Sequence, residues 1–352
     1  MTGEEDAAET QAAPIGSAAR VQVSVVVPAY NAESHLAKVL GALKIAHPGG
    51  EILVVDAGST DATAELAEQA GVRLIRLPER AGPAEARNVG ARAVDSPVLL
   101  FIDSDCVAHP DVVDRVRQAF SSEPQLVTLT GSYDASPPDP GFFSQYMNLR
   151  HHFTHQVARR EPATFWAGCG AVRRETFLEQ GGFDAGRYPR PQIEDIELGM
   201  RMANFGRTRL DPALNVTHLK RWTLRSVVET DVLARAVPWS RLILESGALP
   251  NDLNLRSSQR VAAAIAPFAL LSPLALLLFA WSGNELGGAL ASALLVASLL
   301  LNRGLLAFFA RTRGVGFAVK GWAFHQVHLS YSALTFAVCS VAHRLQRGEQ
   351  SA

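Results

Sequence analysis

The sequence predicts an α/β fold with a parallel, doubly wound sheet, followed by a helical region in contact with a membrane. The first observation is that short apolar or β-branched runs alternate with helical patterns between residues 21 and 102, with brief connections. This alternation is typical of a parallel sheet that helices cover on both faces. The second observation is a sharp fall in charged residues after Arg260, where three apolar blocks follow.

Four strands and three helices are predicted in the first region. The opening strand, Val21–Pro28, is a β-branched run that a proline ends. Thr60 or Asp61 is expected to cap the second helix. No G-x-G-x-x-G motif follows the first strand, which disfavours a dinucleotide-binding domain. The other predicted strands are at 51–55, 72–77 and 98–102, and the helices are at 33–45, from the capping residue to about 70, and at 83–94.

Acidic residues follow two of the predicted strands. Asp56 comes after the second strand, and Asp103 and Asp105 come directly after the buried run VLLFI. In open α/β sheets the carboxyl ends of the strands form the edge where ligands bind, so we expect these acids to lie together. Carboxylates hold Mg²⁺ or Mn²⁺, which in turn bind phosphate oxygens. The alternatives are a helix cap at Asp56 and a solvated acid pair after the fourth strand.

Two later helices carry weaker patterns. His151 and His155 lie one turn apart in a helix predicted over residues 142–160. Solvated or packed histidines are favoured there over a metal site, because no third ligand is near. A helix predicted over residues 192–202 begins with acids, which the helix macrodipole favours whatever their function. These acids are Glu194, Asp195 and Glu197.

Composition excludes some classes of function. With 33 Lys and Arg against 34 Asp and Glu, the chain lacks the positive charge of a nucleic-acid-binding protein. Its three scattered cysteines match neither a disulfide framework nor a zinc cluster, in agreement with a reducing cytosolic setting. Residues 1–20 are rich in Ala, Glu and Gly and are predicted to be a disordered tail without the features of a signal peptide.

Two or three membrane helices are predicted in residues 261–345. Val261–Trp281 carries no charge over about 21 residues, enough to cross a bilayer core. Residues 286–310 form a second candidate, interrupted at Asn302, and residues 321–341 form a third, either a packed span or an interfacial helix. Basic residues before the first candidate and after the second predict that both ends of this hairpin are cytosolic. The alternative is a buried hairpin in a soluble protein.

Residues 221–260 are predicted to be juxtamembrane helices that join the two parts. Arg221–Glu245 is amphipathic, and its tryptophans and basic residues favour a pair of helices lying on an anionic membrane surface. An ordinary surface helix is the alternative.

The first part of the chain resembles the inverting GT-A glycosyltransferases of family 2. The resemblance runs from Val23 to about Trp222 and implies a GT-A catalytic domain at residues 21–220, with a Rossmann-like parallel sheet and Mg²⁺ or Mn²⁺ as cofactor. Six segments in the family's order and spacing make it specific. They are VSVVVPAYN, DAGSTDAT, ARNVGARA, LLFIDSDC, WAGCGAVRRETFLEQGGFD and IEDIELGMR.

The resemblance also implies roles by position. Asp195 matches the catalytic base, with Glu194 beside it. Asp105 matches the metal-binding acid of the D-x-D pair, and Asp103 the acid nearer the donor sugar or ribose. Gly168 and Cys169 match the acceptor-side loop. The positions that match the pocket for the donor's base, ribose and diphosphate are Pro28, Ala29, Tyr30, Glu33, Asp56, Arg87 and Asn88.

The segment from His218 to Trp222 departs from the Q-x-x-R-W motif of processive synthases in this superfamily. Arg221 and Trp222 match residues that attend the diphosphate and the acceptor. His218 stands where those synthases have Gln, and is expected either to contact metal or phosphate or to be a core histidine. This departure and the small number of predicted spans argue against polymer synthesis.

These observations together lead us to expect a multi-pass, membrane-anchored, inverting glycosyltransferase. It would move one sugar from a UDP- or GDP-sugar to a lipid-embedded acceptor, a polyprenyl phosphate or a glycolipid, at the cytosolic face of the inner membrane. The alternatives are a processive polysaccharide synthase and a non-catalytic GT-A binding module.

Overall fold

The structure, a computed structural model, describes residues 21–247 and 257–350. The predicted tail at 1–20 lies outside the described residues, as do residues 248–256 of the predicted juxtamembrane segment. The strands are β1 (Val23–Ala29), β2 (Ile52–Asp56), β3 (Arg73–Arg76), β4 (Val98–Ile102), β5 (Cys106–Ala108), β6 (Leu126–Tyr133), β7 (Cys169–Arg173) and β8 (Arg207–His218).

The helices of the α/β part are α1 (Leu36–Ala46), α2 (Thr63–Gln69), α3 (Pro83–Ala93), α4 (Val112–Ser122), α5 (Phe142–Val157), α6 (Arg174–Glu179) and α7 (Glu194–Met202). After these come α8 (Leu224–Glu229), a π-helical segment (Thr230–Ala236), α9 (Val237–Ser246), α10 (Ser257–Ser282), α11 (Glu285–Leu301), α12 (Arg303–Arg313) and α13 (Val315–Gln350).

Half of the sheet is the predicted parallel core. β3, β2, β1 and β4 lie side by side in that order and run parallel. β1 and β4 are buried along their whole length, because α1 and α4 pack on one face and α3, α6 and α7 on the other. Strands buried on both faces read as continuous apolar runs, as these two do. The α/β fold class is confirmed.

The other half of the sheet is mixed. β7 is inserted antiparallel between β4 and β6, β6 runs parallel to β8, and β5 pairs antiparallel with β8. The prediction of a parallel sheet therefore holds for the four strands it named, β1 to β4, whereas β5 and β7 run antiparallel to their neighbours. Because β7 runs against β4, its first residue, Cys169, lies opposite Ile102, the last residue of β4. The insertion brings a distant segment to the sheet edge that carries Asp103 and Asp105.

Helix boundaries in the α/β part agree with prediction to within a few residues. The helix predicted over 142–160 is α5, and the one predicted over 192–202 is α7. At the start of α2, the carboxylate of Asp61 accepts the N–H of Thr63 at 3.1 Å, although the N-cap position itself is Ala62. Asp61 thus satisfies a free N–H group of the first turn, as a capping side chain does.

The C-terminal helices pack on one another and on the α/β part. α10 lies against α11 and α13, and α12 lies against α5 and α13. Thr223 and Ser226 form a capping box at the start of α8, which leads through the π-helical segment into α9 without a break.

Of the described helices, α10 is long and apolar enough to cross a membrane, with 26 residues and a mean hydropathy of 2.3 over an 18-residue stretch. Its Phe268, Leu277 and Trp281 are exposed. α11 and α12 make a second candidate only when taken together, because the chain bends by 68° between them, at Asn302. α13 is long enough to cross a membrane but is not apolar enough. Its composition therefore does not support the third predicted span at 321–341.

Candidate active site

A cleft of about 1360 Å³ opens at the sheet edge formed by the carboxyl ends of β1 and β4 and the amino end of β7. It continues past α7 and the π-helical segment to α10, α12 and α13, so one cavity is lined by both parts of the chain. The predicted site residues that line it are Pro28, Ala29, Tyr30, Arg87, Asp103, Asp105, Gly168, Glu194, Asp195, His218 and Trp222.

Asp105 and His218 lie side by side in this cleft. β5 and β8 pair with Cys106 opposite His218, and this register brings the Nε2 atom of His218 to 3.3 Å from Asp105 Oδ2. Burial alone would raise the pKa of Asp105, but the nearby His218 and Lys220 outweigh it and hold that pKa at about 2. Asp105 is therefore ionised and faces an imidazole, a donor pair suited to a divalent cation.

Cys106 completes a group of three side chains whose ligand atoms lie within 4.8 Å of one another. Its thiol is buried, and burial together with the charges of Asp105 and Asp103 raises its pKa well above the ordinary value. Because the thiolate is the metal-binding form, Cys106 contributes no strong ligand here. Asp105 and His218 are therefore the residues of this group that could bind a cation.

Arg87 links the two acidic segments of the cleft. This buried guanidinium on α3 donates to Asp103 at 2.6 Å and to Glu194 at 3.2 Å. One cation thus compensates two carboxylates that come from β4 and α7, as a buried charge requires. The pairing holds Asp103 and the start of α7 at fixed positions across the cleft.

Asp195 is the carboxylate whose pKa is most suited to proton transfer. Its oxygens accept the N–H groups of Ala167 at 3.2 Å and Ile196 at 2.8 Å. Burial and then the charge of Glu194 raise its pKa to about 7, although Arg87 and the two N–H groups oppose this rise. A general base is most effective when its pKa lies near the working pH. Asp195 has that property.

Tyr30 and Arg80 form a flat wall at the β1 end of the cleft. The Arg80 guanidinium lies 4.6 Å from the centre of the Tyr30 ring, and both side chains line the cavity. A planar pair of this kind is a suitable surface for stacking a nucleobase.

Three predicted donor-pocket residues lie outside the cavity lining. The buried Asp56 accepts the N–H of Ser59 at 2.9 Å, and so stabilises the turn after β2. Glu33 accepts the N–H of Ala62 at 3.3 Å, at the start of α2. Asn88 is buried, and its amide exchanges two hydrogen bonds with the backbone of Phe183, at 2.8 and 2.9 Å. The structure gives all three a structural role, and their roles in donor binding stay predictions.

On the acceptor side, the predicted residues divide in the same way. Gly168 lines the cavity, whereas the neighbouring Cys169 is fully buried in β7. Trp222 is buried at the cavity wall, with the ammonium group of Lys220 4.1 Å from its ring. Arg221 points away from the cavity: its side chain is 82% exposed and pairs with Asp139 at 3.6 Å. Side chains of adjacent residues in this extended segment face opposite ways, which explains why Trp222 lies at the cavity and Arg221 does not.

The histidines of α5 are packed, as predicted. His151 and His155 have ring centres 4.1 Å apart, and His155 shares a hydrogen bond with the carbonyl of Gly131. Burial lowers the pKa of His155 to about 4. Tyr133 extends this aromatic layer to the cation site, because its ring stacks on His218 with centres 4.3 Å apart. Tyr133 was not among the predicted site residues, and no local pattern marks it.

A second polar cluster that the sequence did not reveal lines the cavity between the acids and the C-terminal helices. Arg150 from α5 and Arg235 from the π-helical segment face Asp231, with ion-pair distances of 4.0 and 3.0 Å. His328 from α13 lies 3.0 Å from the same carboxylate. The single local signal is the i, i+4 spacing of Asp231 and Arg235, which is common on surface helices.

Comparison with known proteins gives consistent results. Residues 24–182 match the family model described as "Glycosyl transferase family 2". An uncharacterized glycosyltransferase of Haemophilus influenzae is 31% identical over 216 residues, which are 59% of this chain and 71% of that protein. The succinoglycan biosynthesis protein ExoU of Rhizobium meliloti is 25% identical over 254 residues, 67% of this chain and 73% of that protein.

Among solved structures, the mannosyltransferase PcManGT from Pyrobaculum calidifontis, in complex with GDP-Man and Mn²⁺, is similar with a TM-score of 0.58. The match covers 90% of this chain and 87% of that chain at 18% identity, so it concerns the fold. This chain spans about half the length of two other curated relatives. These are a second uncharacterized Haemophilus influenzae glycosyltransferase, at 46%, and GlyG of Streptococcus pneumoniae, at 54%.

Proposed function

This chain belongs to glycosyltransferase family 2, and from that premise we propose that it transfers one sugar from a nucleoside-diphosphate sugar to a lipid-embedded acceptor. The observation that supports this proposal is the distribution of polar and apolar residues along the cleft. Its lining includes Asp103, Asp105 and Asp195 at one end and apolar residues of α10, α12 and α13 at the other. A cavity that is polar at one end and apolar at the other fits a polar donor and an amphiphilic acceptor.

Asp105 and His218 are the proposed ligands of a divalent cation. They fit it because an ionised carboxylate oxygen and an imidazole nitrogen lie 3.3 Å apart at the cleft wall. When bound, such an ion neutralises the negative charge that develops on the leaving diphosphate. Mn²⁺ is present in the solved structure of PcManGT, and we propose Mn²⁺ or Mg²⁺ here. The donor base would stack at Tyr30 and Arg80, next to Pro28 and Ala29.

Asp195 is the proposed catalytic base. It accepts the proton of an acceptor hydroxyl as that oxygen attacks the anomeric carbon, while the bond from this carbon to the diphosphate oxygen breaks. The nucleoside diphosphate leaves, and the configuration at the carbon is inverted. Arg87 joins Asp103 to Glu194, the neighbour of Asp195, and so keeps the donor-side acid and the proposed base in one site, which supports this division of roles.

Membrane association is the finer part of the proposal. α10 has the length, apolarity and exposed surface of a membrane span, and the bent pair α11 and α12 supports a second crossing. We propose a catalytic domain at residues 21–220, juxtamembrane helices at 221–260 and a membrane region at 261–345. In this arrangement the protein lies in the inner membrane, with its catalytic domain in the cytosol.

Product analysis tests the proposal. The full-length protein in detergent is incubated with labelled UDP- or GDP-sugars, Mn²⁺ and a panel of lipid acceptors, and the products are sized. We expect one sugar to be added to a lipid. A ladder of products would instead establish a processive synthase, and no transfer with any donor, despite donor binding, would favour a binding module.

A further inference from the structure

The polar cluster at the middle of the cleft lies between the proposed catalytic and cation-binding residues and the apolar end of the cavity. We define the arginine cluster as Arg150, Arg235 and Asp231. Arg150 belongs to the α/β part, whereas Asp231 and Arg235 belong to the π-helical segment. π-Helical turns are rare and occur frequently at functional sites. All three residues line the cavity.

The charges of the arginine cluster do not balance. Asp231 is buried and is shared by both guanidinium groups, and it also accepts the hydroxyl of Tyr331 at 2.7 Å. Lys220 lines the same cavity, but its charge is opposed by Asp105 and Asp103. Among the described residues of α5, the π-helical segment, α10 and α13, Asp231 is the one acid in the cavity lining. The Arg150 side chain is 16% exposed and that of Arg235 44% exposed, so the surplus positive charge lies at the cavity surface, where a bound anion would compensate it.

The cluster also has unused hydrogen-bond donors. The Nε–H group of Arg150 is buried and has no partner among the described residues, and neither has the indole N–H of Trp239, which lines the same cavity. His151, also in the lining, has a buried Nε2 atom in the same condition. Buried polar atoms are normally hydrogen-bonded, so the N–H groups of Arg150 and Trp239 are available to a ligand in this cavity that carries acceptor oxygens.

The surface beyond the cluster carries a group of apolar side chains, beside the polar Asn302, His325 and Ser332. Past Arg150, the cavity runs between α10, the junction of α11 with α12, and α13. The apolar side chains that line it there are Ala263, Leu301, Leu305, Leu329, Ala333 and Phe336. A ligand that fills both regions has an anionic head with several oxygens and a hydrocarbon tail.

We propose that the arginine cluster binds the phosphate or diphosphate group of the acceptor lipid, so that the acceptor is a phosphorylated lipid and not a neutral one. The hydroxyl that gives its proton to Asp195 then belongs to a sugar that this phosphate or diphosphate links to the lipid. This inference rests on the proposed function and narrows its acceptor. Guanidinium groups suit this task because they bind phosphate oxygens in bidentate fashion. Asp231 acts as a positioning residue that holds both arginines towards the cavity.

The test uses two probes that differ only in the phosphate, farnesyl phosphate and farnesol. Binding of each to the full-length protein in detergent is measured by thermal shift and calorimetry. We expect farnesyl phosphate to bind at least about tenfold more tightly, as the loss of one charge-assisted hydrogen bond implies. Equal affinity for the phosphate and the alcohol would overturn the proposal.

Three variants assign the binding to the cluster. Arg150→Gln and Arg235→Gln should each weaken the binding of farnesyl phosphate roughly tenfold or more and leave the binding of farnesol unchanged. Arg235 is 44% exposed, so its variant is expected to fold even if Arg150→Gln does not. Arg225→Gln is the matched control, because Arg225 lies on α8 with an 86% exposed side chain. Equal effects in all three variants, or none in the first two, would refute the assignment.

Donor binding separates this inference from the proposed function. UDP and GDP with Mn²⁺ are titrated into each variant, and their affinities should match those of the unchanged protein. If Arg235→Gln weakened the binding of the nucleotide but not that of farnesyl phosphate, the cluster would belong to the donor site and the inference would fail. If the unchanged protein transferred sugar to a neutral lipid alone, the inference would fail while the proposed function stood. Transfer to no lipid at all would remove the proposed function itself.

Discussion

Replacing Glu194 by Gln should make the enzyme active at lower pH. Glu194 lies next to Asp195 at the start of α7, and its negative charge opposes ionisation of the proposed base. Gln keeps the size of the side chain and an oxygen for Arg87, which now donates to Glu194 at 3.2 Å. The substitution therefore removes a charge with little change of shape. Because transfer needs the ionised form of Asp195, a lower pKa extends activity towards acid pH.

The size of the effect follows from Coulomb's law. Two unit charges about 6 Å apart interact by roughly 3 kcal/mol at an effective dielectric constant near 20, or about two pKa units. Arg87 offsets part of the charge of Glu194, so we expect the pKa of Asp195 to fall from about 7 by roughly one unit. At pH 6 the ionised fraction would then rise from roughly a tenth to about half, a gain of about fivefold.

The assay is the pH dependence of kcat/KM between pH 5 and 9, with each variant scaled to its own plateau. Glu197→Gln is the matched control: Glu197 is an acid of the same helix that pairs with Arg201 at 2.7 Å. Its profile should coincide with that of the unchanged protein. The reasoning is refuted if the midpoint for Glu194→Gln stays in place or moves to higher pH, since either result would mean that another group limits the rate.

Three further predictions concern the proposed base, the proposed cation site and the packing of α7. Asp195→Asn should lower kcat by roughly 10²–10⁴-fold with donor affinity unchanged in calorimetry, and normal turnover would exclude it as the base. A chelator should abolish transfer and added Mn²⁺ restore it, and Asp105→Asn should raise the Mn²⁺ concentration required about tenfold or more; an unchanged requirement would exclude that ligand. Gly199→Ala would place a Cβ 2.1 Å from the backbone nitrogen of Phe165 and should cost roughly 1–3 kcal/mol in a denaturant melt. Gly41→Ala, with no atom within 4 Å, should be neutral or stabilising, and equal melts would contradict the packing argument.

Apolar runs made the parallel half of the sheet predictable. β4 is five consecutive buried residues, so a local pattern identifies both the strand and the acids that follow it. β8 is harder to predict from its sequence. Its buried residues alternate through Leu214, Val216 and His218, which is a signal for a strand, but Pro212 and charged residues interrupt the alternation. That strand places His218 beside Asp105.

Long-range pairing is what a single sequence does not reveal. Asn88 falls in a segment that matches the family pattern, yet its amide binds the backbone of Phe183, 95 positions away. Arg150 and His328, which are in contact in the cavity, are 178 positions apart. Contacts of this kind depend on how the helices dock, and neither residue carries a local signature that links it to the other.

The pKa of Asp195, at the start of α7, depends on two opposing effects whose relative size can be judged only from the structure. A helix amino end stabilises ionised acids by about 0.3–1 kcal/mol, and from sequence this would lower the pKa of Asp195. Burial acts in the opposite direction and can raise the pKa of a carboxyl group by several units. Here burial and Glu194 prevail, and the pKa rises to about 7. Ala167, two residues before β7, donates its N–H to Asp195, so the antiparallel insertion of β7 beside β4 brings backbone into contact with this carboxylate. The strand order that local patterns did not predict therefore also shapes the surroundings of the proposed base.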